Sequence, residues 1–158
     1  MPARLPSLLP VEFGNADDID THQTGWMIGF SDWTQDEPHH LRHVPAGTLS
    51  AGLCVKWFGH AEGDPNGEGK PISVGRTMSI LVSEGSEFRI DFSADPTFPP
   101  EATLVHTLRQ RGDFLIWGEG IHHRAFGLKP ATIMTIRWEP QACGVPMASV
   151  GSAAAARR

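Results

Sequence analysis

Apolar side chains recur at every second position in this chain, in short runs broken by turn-forming residues. Residues 25–30 put Trp26, Ile28 and Phe30 on one face, the period of a strand with one side buried. Residues 48–58 set Leu49, Ala51, Leu53, Val55 and Trp57 on one face, with Lys56 and Phe58 on the other. The alternation returns at Met78, Ile80 and Val82 and again at Phe88, Ile90 and Phe92. Further strands are expected over 103–109, 113–117 and 131–138. Between them stand Asn66-Gly67, Glu84-Gly85, Asp95-Pro96, Arg111-Gly112 and Lys129-Pro130, all turn signals. Asn66-Gly67 is a pair that tight hairpins use for positive φ. No stretch sustains a helical period. Many short strands at this spacing predict an all-β fold, a jelly-roll barrel whose inward side chains can hold a ligand.

A chain of 158 residues suits one domain with its own core. Pro2, Pro6 and Pro10 make residues 1–20 an extended arm. Residues 21–140 form the barrel domain, and 141–158, rich in alanine, read as a flexible tail. The net charge of −5 argues against a nucleic-acid partner. No apolar run reaches the ~20 residues of a membrane-spanning helix, which argues against a membrane partner. Two cysteines and no secretion-type leader point to a cytoplasmic protein with reduced thiols. Cys54, in an apolar strand, reads as packing and not as a nucleophile. A small-molecule substrate is the expected partner. A homodimer is a second expectation, because an exposed sheet edge needs cover.

The most informative stretch is Gly112-Asp-Phe-Leu-Ile-Trp117-Gly118-Glu-Gly120-Ile-His122-His123. A Gly-Asp turn launches a strand, a Gly-x-Gly turn ends it, and two histidines open the next. Adjacent strand residues face opposite sides, so one of His122 and His123 points inward. This stretch resembles the second motif of the cupins: Gly112, Gly120 and His123 stand at its positions, and Gly118 stands where that motif has proline. Ile80 to Gly85, followed by Phe88, resembles the end of the first cupin motif, and the likeness spans roughly residues 47–138. The resemblance implies a cupin-like jelly roll (a double-stranded β-helix) and a metal-ligand role for His123.

The first motif's His-x-His and Glu have no clean counterpart, since Met78 stands seven positions before Gly85. The nearest donors are His60 and Glu62, two apart and on one face if extended. With His123 they would give two imidazoles and one carboxylate, a set suited to a divalent ion such as Fe, Mn, Ni or Zn. Together these features predict a metal-dependent enzyme acting on a small polar metabolite by oxygenase, isomerase or lyase chemistry. His123, His106 and Lys56 are the candidate proton-transfer groups. His106 shares a face with Leu104 and Leu108. Arg76 is a candidate carboxylate clamp and Trp117 a candidate pocket wall. Two alternatives stay open: a metal-free acid–base enzyme, and a non-catalytic metabolite-binding module.

Overall fold

The computed structural model describes residues 8–30, 37–45, 47–64 and 70–141. Ten strands run through the described residues: β1 (Val11–Asn15), β2 (Gly29–Phe30), β3 (His43–Val44), β4 (Leu49–His60), β5 (Arg76–Leu81), β6 (Phe88–Ser93), β7 (Thr103–Leu108), β8 (Asp113–Trp117), β9 (His122–Gly127) and β10 (Ala131–Gln141). No α-helix occurs among the described residues, and none of their helices is long and apolar enough to cross a membrane. The hairpin expected at Asn66-Gly67 lies outside the described residues.

One sheet runs β1-β8-β5-β10-β4, a second runs β7-β6-β9, and β2 pairs with β3 in a small third sheet. The backbone at Ser73 ties down the turn that leads into β9. Its N–H donates to the Ile121 carbonyl at 2.9 Å, and its carbonyl accepts from the Gly120 N–H at 2.8 Å. From β5 onward the chain crosses between the two larger sheets at β5–β6, β7–β8, β8–β9 and β9–β10, so that, apart from the consecutive pair β6–β7, ladder partners are not neighbours in sequence. That interleaving of antiparallel strands in two facing sheets is an all-β jelly-roll arrangement.

The period-two pattern explains the core. Phe88, Ile90 and Phe92 point from β6 towards the first sheet, where Leu81, Leu115, Trp117 and Ile133 meet them. Each such buried side chain contributes about 1.5–3 kcal/mol of transfer free energy. The opposite face of the first sheet is also apolar. There Met78, Phe114, Ile116 and Trp138 are covered by Val44, Ile19, Met27, Ile28 and Leu41. The residues before β4 therefore act as a lid on the outside of the sheet, and β1 closes its far edge.

One strand departs from its expected phase. Arg137 pairs with Cys54, but Glu139 pairs with Ala51, so β4 carries one extra residue at this point. Gly52 sits there at φ 62°, the left-handed conformation that a glycine bulge requires. The bulge reverses the phase of the strand. Leu53, Val55 and Trp57 share the outer face, while Leu49 and Ala51 fall on the same side as Cys54, Lys56 and Phe58. The alternation along 48–58 thus does not put Leu49 and Ala51 with Trp57. Cys54 is exposed, not packed.

Candidate functional site

Between the two larger sheets lies a cavity of about 720 Å³, a size that suits a small ligand. The register of the first sheet builds its floor. Lys56 on β4 stands beside Thr135 on β10, and Thr135 beside Ser79 on β5. One step along, Arg137 stands beside Thr77, and Thr77 beside Trp117 on β8. Directly paired residues project to the same face, and all six of these side chains line the cavity. The Ser79 and Thr135 hydroxyls bond to each other at 2.9 Å. His123 enters from β9, opposite Phe92, while its neighbour His122 stands opposite Ser93 and does not line the cavity. His60 closes one end, and Lys70 and Ser73 come from the segment before β5.

Positive charge dominates this wall. Lys56, Lys70 and Arg137 line it, and no carboxylate does so among the described residues. Burial, and then repulsion from Lys56, lowers the Lys70 pKa below its ordinary value. The Arg137 Nη2 holds the Glu139 Oε1 at 3.1 Å, which leaves the rest of the guanidinium fork for a ligand. The Lys56 ammonium lies 4.7 Å from the Phe58 ring centre.

The two imidazoles differ. Burial, and then the charges of Lys70 and His122, pushes the His123 pKa down to about 4, so this ring is neutral near pH 7. Its Nδ1 is buried with no hydrogen-bond partner, as is the Nε1 of Trp117. The two rings lie 4.9 Å apart. His60 is held differently: its Nδ1 lies 3.2 Å from the Asp64 Oδ2, and its ring packs on Phe58 and Phe88. Burial lowers its pKa, and Asp64 only partly offsets this. Gly127 makes the seat for this corner, because a Cβ there would overlap the Ala61 carbonyl oxygen. Its own carbonyl takes the Gly63 N–H at 2.8 Å.

Of the residues singled out in the sequence, His60, Lys56, Trp117 and His123 line one cavity. The other three stand elsewhere. Glu62 is exposed in the turn after β4, because the extended backbone that would align it with His60 ends at His60 itself. His106 faces inward opposite Ile90, yet it stacks on Phe13 at 4.1 Å and is not part of the cavity wall. Arg76 stands opposite Trp138, on the outer face of its sheet. Its Nη1 donates to the Leu41 carbonyl at 2.9 Å and the His43 carbonyl at 2.7 Å, which pins the outer lid. Burial lowers its pKa despite Glu119 and Glu12.

The expected triad of His60, Glu62 and His123 is therefore not assembled. Among the described residues no three His, Cys, Asp or Glu side chains gather as a metal centre would need. The donors present do not fit a divalent cation: two imidazoles, one already tied to Asp64, share the wall with three cationic side chains. Sequence reasoning missed Lys70 and Arg137. Arg137 had a signal, since it shares strand parity with Ile133 and Thr135.

No family model matches the chain, and no curated protein matches it. Among solved structures it is similar to a Streptomyces albus HEPD holding its substrate 2-hydroxyethylphosphonate and Fe(II). The TM-score is 0.46 and the identity 12%, over 65% of this chain and 21% of that one. It is also similar to the conserved SPY1581 protein of unknown function from Streptococcus pyogenes, with TM-score 0.43 and 19% identity, over 60% of this chain and 76% of that one. The chain spans about a fifth of the length of the first of these.

Proposed function

We propose that the cavity binds a small organic anion, a carboxylate or a phosphoryl compound, and moves a proton on it without a metal. The observation that carries this reading is the charge of the wall: Lys56, Lys70 and Arg137 line the cavity and no described carboxylate lines it, although Glu139 takes part of the Arg137 charge from beside it. In a partly enclosed cleft such charges bind an anion more strongly than they would on an open surface. They also stabilise negative charge that develops on the ligand, as when a proton leaves a carbon beside a carbonyl. Arg137 offers fork geometry for two oxygens. Neutral His123 supplies a base. The Ser79 and Thr135 hydroxyls, already bonded to each other, orient the uncharged part of the ligand. A non-catalytic binding module would use the same wall and lack the proton transfer.

The test uses untagged native protein. Thermal shift and calorimetric titration are run with inorganic phosphate, citrate and a set of 2-oxo acids, against neutral sugars and amines. The expected result is stabilisation by anions alone, unchanged by a chelator. Exchange of the 2-oxo acid's C3 protons with deuterated solvent, lost in His123→Gln, separates the enzyme from the binding module. A stoichiometric divalent metal that disappears in His123→Ala would overturn the reading, and so would indifference to every anion.

A further inference from the structure

We propose that two copies of this chain associate edge to edge through β4, antiparallel about a two-fold axis. β4 is twelve residues long and is the last strand of its sheet. Among the described strands only β10 pairs with it, so its other edge offers a full row of backbone donors and acceptors. Long apolar edges of this kind recruit another strand. Leu53, Val55 and Trp57, on the outer face, are 68%, 64% and 67% exposed.

That row continues a core. Across the register Trp57 stands beside Met134 and Val55 beside Ile136, and Ile136 packs against the outer cluster of Met78 and Trp138. Ile19, Met27, Ile28, Leu41 and Val44 cover that cluster, while Leu53, Val55 and Trp57 on β4 stay exposed. With Leu49 and Phe58, 49% and 42% exposed on the other face, the strand carries roughly 500 Å² of exposed apolar side chain over its two faces, of which an edge contact covers a part, against the ~800 Å² per partner of a standard interface.

The rest of the chain is a poor cover. Residues 1–7 precede β1, at the opposite edge of the sheet, and Pro2 and Pro6 remove ladder donors. Residues 142–158 follow β10 at the Leu49 end of β4, carry Pro146, and are mostly alanine, glycine and serine. A second β4 brings the matching row. With Val55 opposite its own copy, the two faces are preserved and Leu53 lies against Trp57 across the axis. The pairing is self-limiting, because a two-fold contact uses the same edge on both chains. The strand's charged residue, Lys56, lies on the cavity face and leaves the outer row free of repulsion.

Sedimentation equilibrium and light scattering of the native full chain at tens of micromolar test this. The expected mass is twice 17.2 kDa. Leu53→Lys with Val55→Lys, and separately Trp57→Arg, are expected to give monomers that keep the native circular dichroism, since all three side chains are exposed. Hydrogen exchange is expected to show those amides of 53–57 that point away from β10 protected in the native dimer and at least tenfold faster in the variants, with the amides bonded to β10 unchanged. A monomeric native chain overturns the proposal. So does a dimer that survives both variants, or one lost on removing residues 142–158 with β4 intact.

Discussion

Two arginines near the same rung of the sheet make opposite predictions. Arg137 on β10 points into the cavity, and Arg76 on β5, one register step away, points out of it. Replacing Arg137 by Gln removes one charged partner for a bound anion. A hydrogen bond to a charged group is worth about 1.5–3 kcal/mol, and Glu139 already occupies part of this guanidinium at 3.1 Å. The expected loss is therefore about 1.5–2 kcal/mol, or roughly 10- to 30-fold in the dissociation constant. Replacing Arg76 by Gln instead frees the Leu41 and His43 carbonyls, held now at 2.9 and 2.7 Å. That costs about 2–4 kcal/mol of fold stability, seen as a fall of roughly 5–15 °C in melting temperature for a chain of this size. Calorimetric titration with the tightest anion, paired with thermal melts, reads both quantities on both variants. Arg137→Gln should lose affinity and keep its melting temperature within a few degrees, and Arg76→Gln should do the reverse. Equal affinity loss in the two variants would show that the inside and outside of this sheet are misassigned.

Two further outcomes follow from buried charge. His123 ionises near 4 in the fold and near 6.5 in an unfolded chain. Between those pH values the unfolded chain takes up a proton that the native state refuses, so stability falls as pH drops from 6.5 towards 4. The loss is roughly 2–3 kcal/mol by pH 4.5. His123→Gln should remove this share of the acid destabilisation in urea titrations at pH 7 and 4.5, and an acid loss identical to that of the native chain would refute the assignment. Asp91, 0% exposed, accepts from Arg89 at 2.7 and 2.8 Å and from Arg124 at 2.9 Å. Burial alone would raise its pKa, but these two guanidiniums hold it below the ordinary carboxylate value. Its contribution is present above the unfolded value and is lost as pH falls through the depressed one. Asp91→Asn should cost about 2–4 kcal/mol at neutral pH, the partly exposed arginines softening the loss. A change in urea midpoint equivalent to under ~1 kcal/mol would show that water already compensates this network.

What could be read from the chain alone was whatever depends on near neighbours. Parity along β6 predicts Phe88, Ile90 and Phe92 in the core, and they are there. The same rule applied to 48–58 fails at Gly52, because a bulge is a property of two strands and leaves only an unremarkable glycine in the sequence. The site shows this dependence most clearly. Two-residue spacing puts His60 and Glu62 on one face of an extended chain, but the strand ends at His60 and the turn carries Glu62 to the surface. Lys56, Thr135 and Ser79 share a rung although they come from three strands spread over eighty positions of chain. In a jelly roll the members of a site meet through register, so spacing motifs identify single members such as His123 and cannot assemble the set. What register assembles here is a charge distribution. On the reading proposed here it selects for the sign of a ligand before its shape, with two imidazoles beside three cations a poorer home for a metal ion than for an anion.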